Sequence, residues 1–220
     1  MPDVGVVYGA CRERLSELIR ELEPGRLQSA VAASDGWSVH DVVAHLAAVV
    51  SDMNTGTLRG AGGPEQVAAR RDRSVGELLS EWEAGAPQFE GALAALGESG
   101  AALVVGDVWN HEQDVRGAVG VEGGRDPLAE QLAIVGYAAE RGGQIAEAGL
   151  AALRLRAGVD EWVLGDGEPG ATIVEEPYEL ARMLWMRRTP EQVRAYRWDG
   201  DPEPYVALLT AGGPSEPLPS

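Results

Sequence analysis

The sequence predicts a mainly α-helical protein, in which a helical domain is followed by a small α+β appendage. Apolar residues recur at three- and four-residue steps in five successive segments up to about residue 150. Several of those segments open on helix-capping signals, and beyond residue 150 the pattern changes to two-residue alternation. The division that follows is residues 1–150 for the helical domain, 151–209 for the appendage and 210–220 for a Gly-, Pro- and Ser-rich tail expected to fray.

The first expected helix covers residues 6–23, where Val7, Cys11, Leu15, Leu18, Ile19 and Leu22 share one face and Pro24-Gly25 ends the run. The second opens at Ser38, whose hydroxyl caps free N–H groups. Asp41 lies three positions later as the acid of a capping box, and Trp37 precedes it as a hydrophobic staple. The stripe Val42, Leu46, Val49 and Met53 carries this helix to about Thr55, and a Gly-, Ala- and Arg-rich loop is expected over 56–73. Ser74 with Glu77 repeats the box and starts a third helix reaching Leu96, with Pro87 as a point of kinking. Val104 to Val119 is the fourth, stopped by Gly120. Pro127 suits the first turn of a fifth that extends to Leu150, weakened midway by Gly142-Gly143. Leu153 and Leu155 then alternate with Arg154 and Arg156, as in a half-buried strand, and Glu161–Leu164 and Ala171–Val174 are further short strands. Tyr178–Arg188 and Pro190–Tyr196 read as two short helices.

Composition narrows the class of function. Hydrophobic residues make up 45% of the 220, which is ample for a packed core. No stretch approaches the roughly 20 uninterrupted apolar residues of a membrane span, and the N-terminus lacks the pattern of a signal peptide. The single cysteine, Cys11, excludes an internal disulfide, so a cytoplasmic location is expected; its place on the apolar stripe makes it a core residue rather than a nucleophile. A net charge of −17 repels phosphate backbones and anionic lipid, which points to a small-molecule substrate and away from nucleic acid or membrane. Composition leaves the choice between monomer and homodimer open.

Two of the three histidines fall where metal chemistry would use them. His45 lies in the middle of the second helix, and Asp107 and His111 are four positions apart on the fourth, so both project from one face. An imidazole from a facing helix would complete a set of two His and one carboxylate, leaving a coordination position for water or substrate as catalytic sites do. The spacing is equally compatible with a surface pair or a satisfied core histidine. Asp114 extends the same face and is placed to take the second ring N–H of His111, or to hold Arg116 or Arg125 at the site mouth. His40 is expected at the surface, without a ligand role. Trp109 lies between Asp107 and His111, but steps of about 100° per residue turn it off their face and toward a neighbouring helix.

Three words of sequence carry a resemblance. Gly36-Trp37-Ser38-Val39-His40-Asp41-Val42-Val43-Ala44-His45-Leu46-Ala47 resembles the Trp-Ser/Thr-Val-x-Asp-x-x-x-His-Leu motif of the DinB-like superfamily, and within it the actinobacterial mycothiol-dependent maleylpyruvate isomerase family. Asp107-Val-Trp-Asn-His111-Glu-Gln-Asp114-Val-Arg116 is similar to that family's acid-x-x-x-His-x-x-Asp segment. Tyr178-Glu-Leu-Ala-Arg182, through Arg187-Arg188 to Trp198-Asp199-Gly200-Asp201-Pro202, is similar to its C-terminal portion, related to sterol carrier protein type 2.

The resemblance implies a DinB-like four-helix bundle with an additional helix. It implies a metal, usually zinc, held by His45, Asp107 and His111, and mycothiol as cosubstrate. The family pattern has Glu where this chain has Asp107, so the shorter arm calls for a backbone shift of about an ångström or a different metal. The implied chemistry is an isomerisation or S-transfer in which a metal-bound thiolate adds to an electrophilic small molecule. Asp114 and Arg116 are the candidate catalytic residues, and either Asp114 or a metal-bound water would manage protons. Two other readings fit the same scaffold: a biosynthetic cyclase or isomerase that needs no thiol, and a non-catalytic metal-binding protein.

Overall fold

Asp3 opens helix α1 (Val4–Glu21) by accepting hydrogen bonds from Gly5 N and Val6 N, and the helix stops before Pro24. The structure is a computed structural model that describes residues 3–57 and 63–218. Helix α2 (Val39–Thr55) has the expected capping box. Ser38 N donates to Asp41 Oδ2 at 2.9 Å, Asp41 N donates to Ser38 Oγ at 3.2 Å, and Gly56 in the left-handed region ends the helix. Ser74 and Glu77 form the same box for helix α4 (Val75–Ala92), which keeps its helical path through Pro87 and continues as a 3-10 turn, Leu93–Leu96.

Other segments depart from expectation for physical reasons. The expected loop over 56–73 contains a short helix α3 (Pro64–Ala68), with Pro at its first turn and Gln66 Oε1 accepting from Gly63 N; residues 58–62 of that loop lie outside the described residues. Helix α5 (Gly97–Val119) begins seven residues before the expected start, because Ala101, Ala102 and Val105 are buried and packing outweighs the glycines of its first turn. Helix α6 (Pro127–Glu147) passes through Gly142-Gly143 without a break. Gly142 is there for contact: a Cβ on it would sit 2.7 Å from Gly165 N.

The appendage is a four-stranded sheet in the order β2-β1-β3-β4, with β1 (Ala152–Ala157), β2 (Asp160–Leu164), β3 (Pro169–Val174) and β4 (Arg197–Asp199). The central pair β1–β3 is parallel and the two outer pairs are antiparallel. Leu153, Leu155 and Ile173 are fully buried, as the alternation predicts. Helices α7 (Pro177–Leu184) and α8 (Pro190–Arg194) match the two expected short helices in shortened form. Strand β4 and helix α9 (Glu203–Thr210) are additions that three-residue and Pro-led segments did not reveal. Beyond Thr210, Gln192 Nε2 donates to the Leu218 carbonyl at 3.1 Å, so the expected fraying tail is tied to α8.

The chain divides into two compact units, Met1–Ala101 with His111–Gly124, and Ala102–Asn110 with Arg125–Ser220, so the expected boundary near residue 150 falls inside the second. In the first unit the buried Trp82 donates from Nε1 to Tyr8 Oη at 3.0 Å, and Tyr8 meets Phe89 edge-on at 5.0 Å. In the second, Trp185 Nε1 donates to the Ala133 carbonyl at 2.8 Å, and the Trp185 ring fills the space that a side chain at Gly106 would take. Trp109 is fully buried and meets Tyr178 of α7 edge-on at 5.6 Å, a helix-packing role as expected.

Candidate metal centre

Helix α2 buries every residue from Asp41 to Val50, and His45 sits within that stretch at 3% exposure. His111, on α5, is 7% exposed, and the two imidazole rings face each other edge-on at a centroid separation of 5.0 Å. Asp107 is one turn before His111 on the same unbroken helix, so helix geometry sets its carboxylate beside the imidazole. One ligand atom from each of His45, Asp107 and His111 lies within 4.8 Å of the other two. Tetrahedral coordination at about 2.1 Å from an ion separates neighbouring donors by about 3.4 Å, so closure takes side-chain movements of about an ångström. Two nitrogens and one carboxylate oxygen suit zinc and other borderline divalent ions. The carboxylate oxygen of Asp107 is thus within 4.8 Å of a ring nitrogen of each histidine.

Of the other expected participants, Asp114 lies against one of these three residues. Asp114, with a fully buried side chain, has Oδ2 3.6 Å from His111 Nδ1. Arg116 is held elsewhere: its Nε and Nη2 donate to Glu112 Oε1 at 3.1 and 3.0 Å, and its Nη1 donates to the Glu122 carbonyl at 3.3 Å. Arg125 lies over the Tyr178 ring, 3.2 Å from its centroid. His40 is half-buried with Nε2 2.8 Å from the Arg73 carbonyl, and Cys11 is fully buried with Sγ 3.2 Å from Arg14 Nη2. The middle of α5 is itself fixed. Arg182 of α7 donates to the Asn110 carbonyl and Oδ1 at 3.2 and 3.0 Å, and Asn110 Nδ2 donates to the Gly106 carbonyl at 2.9 Å.

The family described as the mycothiol maleylpyruvate isomerase N-terminal domain matches residues 8–122, which span α1 through the end of α5 and include all three candidate ligands. The chain belongs to this family. Crystal structures of the mycothiol-dependent maleylpyruvate isomerase and of a histidine-to-alanine mutant of it share the fold of this family member, each at a TM-score of 0.53 and 13% identity over 84% of this chain and 89% of the other. No curated protein matches.

Two features of this maleylpyruvate isomerase family member escaped the sequence reading. Trp37 is no simple staple. Its ring lies 5.2 Å from that of His45 and 6.2 Å from that of His111, the latter nearly parallel at 22°. It precedes the N-cap Ser38 and so lies outside helix α2, where helical spacing to His45 carries no signal. Glu112, 0% exposed, binds Arg116 four residues on and also Arg14 of α1, with Arg14 Nη2 at 3.0 Å from Oε2. The Glu–Arg half of that triad was legible as an i, i+4 pair; the Arg14 half needs the fold.

Proposed function

We propose that this chain is a metal-dependent enzyme that uses a thiol, mycothiol, in an isomerisation or S-transfer on a small electrophilic substrate. The observation that carries the reading is the convergence of His45, Asp107 and His111 at donor-atom separations within 4.8 Å. Membership of the mycothiol maleylpyruvate isomerase family supports the choice of thiol. A divalent ion held by these three residues would lower the pKa of a bound thiol, so that a thiolate is available at neutral pH.

The chain's own residues prepare that site. Burial of His45 and His111 excludes bulk water and strengthens each polar contact made there. Asp114, facing Nδ1 of His111, takes that ring N–H after an approach of about half an ångström, which fixes the tautomer and leaves Nε2 as the donor nitrogen. As a buried carboxylate beside the reacting groups it is also the proposed proton handler. Arg116 enters as an anchor of the chain after α5, through Glu112 and the Glu122 carbonyl, rather than as a group that touches substrate. A charge of −17 disfavours polyanionic partners and supports a small-molecule substrate.

Thermal shift tests the reading in two steps. Untagged protein is expected to melt higher with zinc, and higher again when mycothiol is added with zinc, while His111→Ala shows neither shift. A zinc shift with no further effect of mycothiol at high concentration refutes the thiol part. No zinc shift refutes the whole reading.

A further inference from the structure

Trp37 is half-exposed, yet its backbone is pinned on both sides. Its N–H donates to the Ser34 carbonyl at 2.9 Å, its carbonyl accepts from Val31 N at 2.9 Å, and Val39 N donates to the Ser29 carbonyl at 3.0 Å. Gly36, at φ 75°, makes the turn immediately before it, and a bridge between Ala30 and Ser38 closes the loop. Val31 buries its side chain and anchors one end of the loop, while Asp35 and Gly36 at its tip are exposed. What the loop does hold in place is an indole over two imidazoles, tilted 47° to His45 and 22° to His111.

We propose that Trp37 is a positioning residue of the metal centre, holding the imidazole planes of His45 and His111 in their ligating orientation before an ion arrives. This rests on the metal reading above. The terminal torsion of a histidine is broad, so an unrestrained ring loses freedom when it binds an ion. A fixed indole face beside both rings removes that freedom in advance and adds an aromatic contact that survives metal binding. Phenylalanine at the same position keeps a ring to stack on; leucine keeps only the bulk.

The test is cobalt(II) titration of untagged, metal-stripped protein, followed by visible absorbance and by zinc competition, for wild type, Trp37→Phe and Trp37→Leu. Trp37→Leu is expected to bind about three- to tenfold more weakly with an altered cobalt band shape, and Trp37→Phe within about twofold of wild type. Melting of the metal-free proteins should be similar for wild type and Trp37→Phe. Zinc is expected to change the tryptophan emission of wild type and to leave that of Trp37→Phe unchanged, and this readout stands even if Trp37→Leu does not fold. A Trp37→Leu protein that binds cobalt with wild-type affinity and spectrum overturns the proposal, as does a zinc response of emission that persists unchanged in Trp37→Phe. Wild type that binds neither cobalt nor zinc overturns the metal reading instead.

Discussion

Replacing Glu112 by glutamine keeps the side-chain shape and removes one charge from a triad. Glu112 is 0% exposed at its side chain, Arg14 28% and Arg116 13%. The carboxylate accepts from Arg14 Nε at 3.1 and 3.3 Å, from Arg14 Nη2 at 3.0 Å, and from Arg116 Nε and Nη2 at 3.1 and 3.0 Å. In Glu112→Gln two guanidiniums converge on a neutral amide, and its NH2 group faces at least one of them. Breaking a buried charge pair costs about 3–5 kcal/mol. Arg14 is more than a quarter exposed, so water recovers part of its solvation and the lower end applies, about 3 kcal/mol. For a chain of 220 residues this lowers the melting midpoint by about 6–12 °C, read by calorimetry or far-UV dichroism at neutral pH. Replacing all three residues by methionine is expected to recover most of the loss. A Glu112→Gln midpoint within about 2 °C of wild type refutes the claim that this triad is an energetically coupled, desolvated unit.

Adjacent glycines on α6 should respond with opposite signs. Gly143→Ala meets open space and should stabilise by about 0.5–1 kcal/mol, whereas Gly142→Ala meets Gly165 N and should destabilise by about 1–3 kcal/mol, both read from urea midpoints. Equal effects would show that the α6 approach to the turn after β2 is not tight. Two acids, half-buried Glu179 and buried Glu130, give opposite pH dependences. Burial pushes the Glu179 carboxyl up, but hydrogen bonds and charge from Arg188 and a hydrogen bond from Tyr196 outweigh it, so its pKa is lowered. Its stabilisation is present above the ordinary carboxylate range and lost as pH falls through its folded pKa, and Glu179→Gln should flatten that acid-side loss in urea midpoints between pH 7 and pH 3. Burial raises the Glu130 pKa, so its contribution favours folding in acid and is lost as pH rises through its folded pKa. Glu130→Gln should therefore raise the neutral-pH midpoint and leave the pH 4 midpoint nearly unchanged; the reverse pattern would contradict the sign.

Local chemistry made much of this fold legible. Ser38 with Asp41 and Ser74 with Glu77 placed two helix starts because a capping box satisfies specific N–H groups within four residues. The alternation of Leu153 and Leu155 with arginines placed β1, since a half-buried strand has a period of two. The early start of α5 was hidden because Gly97 and Gly100 weaken helix locally, and only burial of Ala101 and Ala102 repays it. Strand β4 is three residues long and exists through pairing with β3, a contact no local pattern encodes. The grouping of His45, Asp107 and His111 was legible from spacing together with the family motifs, because two of them share one helix face. Trp37 and the Arg14 partner of Glu112 were not, because each reaches its partners across a distance in sequence that only the fold sets.

Metal content tests the central claim most directly. Untagged wild-type protein, His45→Ala and His111→Ala are purified side by side and their bound metal is quantified by elemental analysis. Convergence of the three donor groups predicts about one divalent ion per wild-type chain and close to none in either variant. The same metal content in all three would contradict it.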